Sequence, residues 1–158
     1  MRETLHFRQR ASAYVLRRRP DRPDAEVLVM LHRDVPEAGV QLPGGGAHAD
    51  ETVGEAAVRE AVEETGVRGL VFGEVLGNKL MRGAAYAEGH QVTTYSWLRT
   101  DEARDAWDHI VVSADEDDGL RVRCEFRPVG QAGIDWGMDL FLPQAAARFA
   151  AAFRAPVG

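Results

Sequence analysis

Residues 45–67 constrain this chain more than any other stretch, because their caps and charges admit few arrangements. Thr52, followed three residues later by Glu55, is a capping box and predicts a helix beginning at Val53. Gly66 stands where a left-handed C-terminal cap belongs. The run between them is rich in Ala, Val and Glu, all able to live in a helix. At about 100° per residue, Glu60, Glu63 and Glu64 fall within an arc of roughly 100°. Carboxylates so placed repel one another and draw protons unless a cation sits against them. Oxygen ligands without Cys or His point to Mg²⁺ or Mn²⁺ rather than zinc. The opposite face carries Val58 and Val62, with Ala57 and Ala61 on a flank, and is predicted to be the core side. Upstream, Leu42-Pro43-Gly44-Gly45-Gly46 predicts a turn whose bare backbone approaches the same ion and offers it a carbonyl.

With those residues in place, the stretch resembles the Nudix box, G-x5-E-x7-R-E-U-x-E-E-x-G-U, where U is a bulky aliphatic. Gly45, Glu51, Arg59, Glu60, Glu63, Glu64, Gly66 and Val67 match it position by position. Ala61 departs from it, standing where a larger aliphatic is usual, and Asp50 replaces a glycine common just before the first glutamate. The resemblance implies an α+β fold, an α/β/α sandwich with a mixed β-sheet. It also implies metal-assisted hydrolysis of a phosphoanhydride in a nucleoside diphosphate linked to another group, with Mg²⁺ (or Mn²⁺) as cofactor. Glu60, Glu63, Glu64 and the Gly45 backbone are then the metal side. Arg59 holds a motif carboxylate such as Glu63 in place at i,i+4. Glu51 supports the loop or a second metal. The general base is Glu63, Glu64 or the more distant Glu116. Nucleoside triphosphates and related nucleotides are the default substrates. The alternative is a nucleotide-binding or regulatory module that has kept the fold and lost turnover; an intact set of box acids argues against it.

The rest of the chain is predicted to build one domain over residues 1–158, since 45% hydrophobic content in 158 residues suffices for a core. Strands are predicted at residues 7–18 and 26–32 as a hairpin-like pair, then at 70–76, 91–98, 107–112 and 120–129. An amphipathic helix is predicted over 138–153. The segment 77–89 is predicted as a loop in which Lys79 and Arg82 either grip phosphates as substrate-binding residues or are ordinary surface charge. Its Tyr86 resembles a tyrosine of dinucleoside-polyphosphate enzymes, but not at their spacing. Arg33, ending the second strand, is a third substrate-binding candidate. Tyr95 and Trp97 share a strand face and are read as core rather than a base-stacking platform. Residues 115–118 are read as a solvated acidic turn.

A formal net charge of −6 argues against attraction to a nucleic-acid backbone, though not against a phosphate-bearing small molecule at a metal. The single cysteine, Cys124, excludes an intrachain disulfide and suits a reducing cytoplasm. No run reaches membrane-spanning length. The sequence leaves the oligomeric state open, a homodimer included.

Overall fold

Two-sided burial along the central strands decides the architecture. The computed structural model describes residues 6–82 and 89–154. Its strands are β1 (Phe7–Arg17), β2 (Glu26–His32), β3 (Val40–Gln41), β4 (Gly44–Gly46), β5 (Val71–Met81), β6 (His90–Arg99), β7 (Ala106–Ile110) and β8 (Arg121–Pro128). The helices are α1 (Val53–Thr65) and α2 (Leu142–Arg154). In β1, Ala11, Ala13 and Val15 pack with Leu28, Leu98, Val122 and the alanines of α1. Tyr14 and Leu16 face the other way, onto Val29, Trp97, Ala145 and Phe149 beneath α2. A sheet buried on both faces needs a layer on each, and the two helices supply them.

The sheet runs β5-β6-β1-β2-β8-β7, with β3 paired to β2 and β4 to β1. The β1–β6 pairing is parallel and the others are antiparallel, so the sheet is mixed and the sandwich is α/β/α as expected. The first two strands pair antiparallel at Leu16↔Val27 and Arg17↔Glu26. Further along, β1 turns its free edge to β4 instead, bringing the three glycines into the sheet beside Arg10, Ala11 and Ser12. Tyr95 and Trp97 are core residues, stacked or edge-on with Tyr14 and Phe149.

Three expectations are corrected. Residues 77–81 are not loop: β5 continues through Met81, paired with Tyr95 to Gln91 of β6. Gly, Asn and Lys there are poor strand formers, but the cross-strand ladder overrides propensity. The second helix starts at Leu142, not at 138, because Pro143 has no N–H to bond the carbonyl of Asp139 and its ring would clash there, whereas it suits a helix's first turn. On α1 the core side is not opposite the acids. Ala56, Ala57, Glu60, Ala61, Glu64 and Thr65 are buried while Val62 is 47% exposed, so the acids lie within the buried arc. Small alanines, Ala61 among them, let the helix approach the sheet closely enough to carry two glutamates under it.

One buried ionic network ties the strands together away from the α1 glutamates. Arg17, 2% exposed, donates to Glu26 Oε1 (3.0 Å), to the carbonyls of Glu102 and Arg104 and to Asp105, and its guanidinium lies 3.9 Å from the Phe126 ring centroid. Removing one member of a buried pair strands the other without water. Arg17→Ala is expected to lower the unfolding free energy by about 3 kcal/mol, measured by urea denaturation, while Arg19→Ala, at the exposed edge of the network, changes it by less than about 1 kcal/mol.

Candidate metal and catalytic site

The capping box is formed in full: Glu55 N–H donates to Thr52 Oγ1 (3.1 Å) and Thr52 N–H to Glu55 Oε1 (3.3 Å). At the other end Gly66 is left-handed (φ 66°) and its N–H reaches Val62 O. These caps fix where the helix begins and ends, and therefore which glutamates face β4. Glu64 Oε1 accepts from the Gly44 N–H at 3.0 Å. The Glu60 carboxylate lies so close under Gly45 that a Cβ there would come within 2.5 Å of it, and any larger residue would push the carboxylate aside. What Gly45 visibly contributes is that missing side chain.

Arg59 organises the acids from the flank. Its guanidinium donates to both oxygens of Glu51 (2.6 and 3.0 Å), to Glu60 Oε1 (3.0 Å), to Glu63 Oε2 (3.2 Å) and to the Gly46 carbonyl (3.0 Å). The expected Arg59–Glu63 pair is present, but Glu51 is the bidentate partner. Glu51 also accepts from the His48 N–H, and hydrogen bonding to Arg59 holds its carboxyl down to about 2. The same bonds raise the Arg59 pKa further.

Glu60 and Glu64 behave differently. Burial pushes both carboxyls up, Glu64 to about 9, and a hydrogen bond joins the two. A fixed Gly44 N–H opposes the shift on Glu64 without cancelling it. Without a cation, Glu64 therefore keeps its proton at neutral pH and shares it with Glu60.

The sequence reading did not single out Asp117. Ligand oxygens of Glu60, Glu64 and Asp117 all lie within 4.8 Å of one another, a group that could hold a metal ion. Asp117 is brought there by the segment between β7 and β8. Val112 N–H donates to Glu63 O (3.2 Å), His109 Nε2 lies 3.0 Å from the same carbonyl, and Ser113 Oγ donates to Asp117 Oδ1 (2.6 Å). The acidic turn is thus not wholly solvated: Glu116 is exposed, whereas Asp117 is half-buried against the helix acids. Nothing in a run of four acids marks the third as the inward one.

The remaining candidates lie apart from this cluster. Glu63 is outside the triad, half-buried and bound to Arg59. Arg33 is engaged with Asp108 on the surface. Lys79 belongs to β5 and reaches toward Gly137, and Arg82 follows that strand, exposed. Tyr86 lies outside the described residues. An apolar groove of about 610 Å³ between α1 and β5 is lined by Val53, Val58, Phe72 and Val75, but none of Glu60, Glu64 or Asp117 lines it.

With that geometry in view, the family is decided by breadth of match: a family profile described as NUDIX domain fits residues 7–147. The chain belongs to the NUDIX family. Among curated relatives, Nudix hydrolase 16, mitochondrial, of Arabidopsis thaliana is 36% identical, with 45% of this chain and 53% of that protein covered. Diphosphoinositol polyphosphate phosphohydrolase 3-beta of Bos taurus is 42% identical, with 46% and 41% covered. The chain thus spans about half the length of these relatives. Among solved structures, the NUDIX domain of Shewanella oneidensis NrtR complexed with ADP ribose gives a TM-score of 0.66 at 18% identity, covering 92% of this chain and 90% of that one. A Nudix hydrolase from M. Smegmatis, RenU, gives 0.63 at 18%, covering 95% and 90%. At such identities the structures establish the Nudix fold.

The shared proton fixes the sign of the pH dependence. Glu64 titrates near 9 when folded and near its ordinary 4.5 when unfolded, so its contribution to stability is full below about 4.5 and is lost progressively up to about 9. Glu51 acts oppositely, its contribution being lost only as pH falls from about 4.5 toward 2. In chelator, the melting temperature is expected to fall between about pH 5 and 9, and Glu64→Gln, always neutral there, should flatten that fall, as read by circular dichroism.

Proposed function

We propose that this NUDIX chain hydrolyses a phosphoanhydride bond in a diphosphate linked to another group, with a divalent cation held by Glu60, Glu64 and Asp117. The observation that carries the reading is the meeting of three carboxylates from two segments, one of them kept protonated by burial. That donor set fits a hard cation: all ligands are oxygen, and Glu64 has a proton to give up when positive charge arrives. A bound Mg²⁺ or Mn²⁺ supplies neutralisation of the diphosphate charge and a lowered pKa for water. The chain's own part is positional. Arg59 holds Glu60 and Glu63 at fixed angles, and Gly44 N–H fixes the rotamer of Glu64. In this reading Glu63, outside the cluster and half-buried, takes the proton of the attacking water.

The substrate class is supported by what the relatives' names share. A diphosphoinositol polyphosphate and ADP ribose both carry a diphosphate attached to a larger polar body. Nucleoside triphosphates and nucleotide conjugates therefore make the first panel, with product masses reporting which phosphorus is attacked. Activity is expected to require Mg²⁺ or Mn²⁺ and to stop on chelation while circular dichroism is retained. Glu64→Gln should lower turnover about 100-fold or more and Asp117→Asn at least about tenfold, whereas Glu116→Gln stays within a few-fold. A chain that cleaves nothing on a broad panel yet binds one member tightly is a binding module, and the hydrolase reading is then wrong. Full activity in Glu64→Gln removes the metal from this helix face.

A further inference from the structure

The apolar groove between α1 and β5 plays no part in the acid cluster, and strand register shows how it is made. Phe72, Val75 and Leu80 of β5 pair with Leu98, Ser96 and Val92 of β6, so all three share the face of the sheet on which Leu98 packs with the α1 alanines. Phe72 and Val75 are three residues apart and share that face only because a register shift falls between Phe72 and Glu74. The α1 helix touches β5 at its first turn, where the Phe72 ring lies against Gly54. Beyond that turn the face is poorly covered: Phe72, Val75 and Leu80 are 41, 48 and 39% exposed, and Val62 on the neighbouring flank of α1 is 47% exposed. Apolar residues exposed singly are ordinary. A groove of about 610 Å³ walled by Val53, Val58, Phe72 and Val75, with further bare apolar side chains on the same flank, is an interaction surface.

The strip selects its partner by shape and charge. β5 is an edge strand, but its two register shifts bend it, and a bent edge resists the addition of another strand. A partner therefore packs on the face, across α1. Asp50 and Glu55 are exposed at the N-terminal end of that helix. Arg68 is exposed just past its C-terminal cap and has no ion pair among the described residues; Asp101, against Gly69, offsets part of this charge without pairing to Arg68. A surface with acids at one end and a cation at the other complements itself when a second copy lies antiparallel to it. Val62 stands midway between Glu55 and Arg68, which puts the two-fold axis beside an exposed apolar side chain. The 13 residues of α1 span about 20 Å and the 11 of β5 about 36 Å, so the strip offers roughly 600 Å² per copy, at the lower end of specific interfaces.

We propose that this strip is where a second copy of the chain docks, α1 lying antiparallel across α1, with Val58, Val62, Phe72 and Val75 buried between them and Glu55 of each copy facing Arg68 of the other. Two short apolar flanks meeting at a two-fold axis leave water together, and the charged ends fix the direction in which they meet. Glu60 and Glu64 lie on the opposite, sheet-facing side of α1, so docking leaves the acid cluster uncovered. The inference therefore holds or falls independently of the hydrolase reading.

The test is sedimentation velocity of the full chain from about 1 to 100 μM, with circular dichroism melting at the lowest concentration as the check on folding. Wild type is expected to pass reversibly from monomer to dimer within that range. Val62→Asp and Val75→Asp, each placing a charge in the apolar strip, should weaken the dimer about tenfold or more, and Arg68→Glu several-fold. Ile110→Asp, 60% exposed on β7 at the opposite edge of the sheet, should stay within twofold of wild type. A wild type that remains monomeric to 100 μM overturns the proposal. A dimer indifferent to Val62→Asp and Val75→Asp, or weakened as much by Ile110→Asp, uses another surface and overturns it too. Should the aspartate variants fail to fold, Arg68→Glu decides, because no described contact within the chain involves that side chain. A dimer unchanged or tightened by Arg68→Glu rules out the antiparallel docking.

Discussion

The Arg59 guanidinium is the contact on which the site depends. It pairs with Glu51, Glu60 and Glu63 where the three meet, and it fastens the helix to the glycine strand through the Gly46 carbonyl. Five donors in a rigid plane serve this purpose better than a lysine's point charge, because three carboxylates and a carbonyl are held at different angles. Without that cation, acids buried at the centre of a helix face would push α1 away from the sheet.

The two other glutamates are managed by a different device. Glu60 and Glu64 lie under β4, where burial favours the neutral form and a backbone N–H gives only partial relief. Burial therefore keeps Glu64 neutral, sharing its proton with Glu60. The same approach explains the alanines of α1 and the glycine at position 45. A larger residue at either would lift the carboxylates away from the strand.

The fold serves the site by assembling it from distant segments. The connection between β7 and β8 is pinned to the end of α1 through Glu63 O, which delivers Asp117 to acids more than fifty positions earlier. Parallel pairing of β1 with β6 lays the start of β1, beside the glycine strand, against Gln91 and Thr93.

The sequence by itself determined the local parts. Capping box, left-handed glycine and acid spacing all lie within 23 residues, and short-range geometry settles them, so α1 and its glutamates were legible before any fold was known. The strands were legible to within a few residues, except where Gly77, Asn78 and Lys79 look like loop and are held in β5 by hydrogen bonds to β6. Which face of α1 is buried was not legible. Periodicity gives an arc of acids and an arc of apolar residues, but Val62 is exposed and Glu60 is not, because the helix docks through its smallest side chains. Nor was Asp117 legible, since choosing one inward acid from four requires the position of a chain segment fixed by contacts some fifty residues away. Local chemistry lies in neighbouring residues, whereas burial and convergence belong to the packed whole.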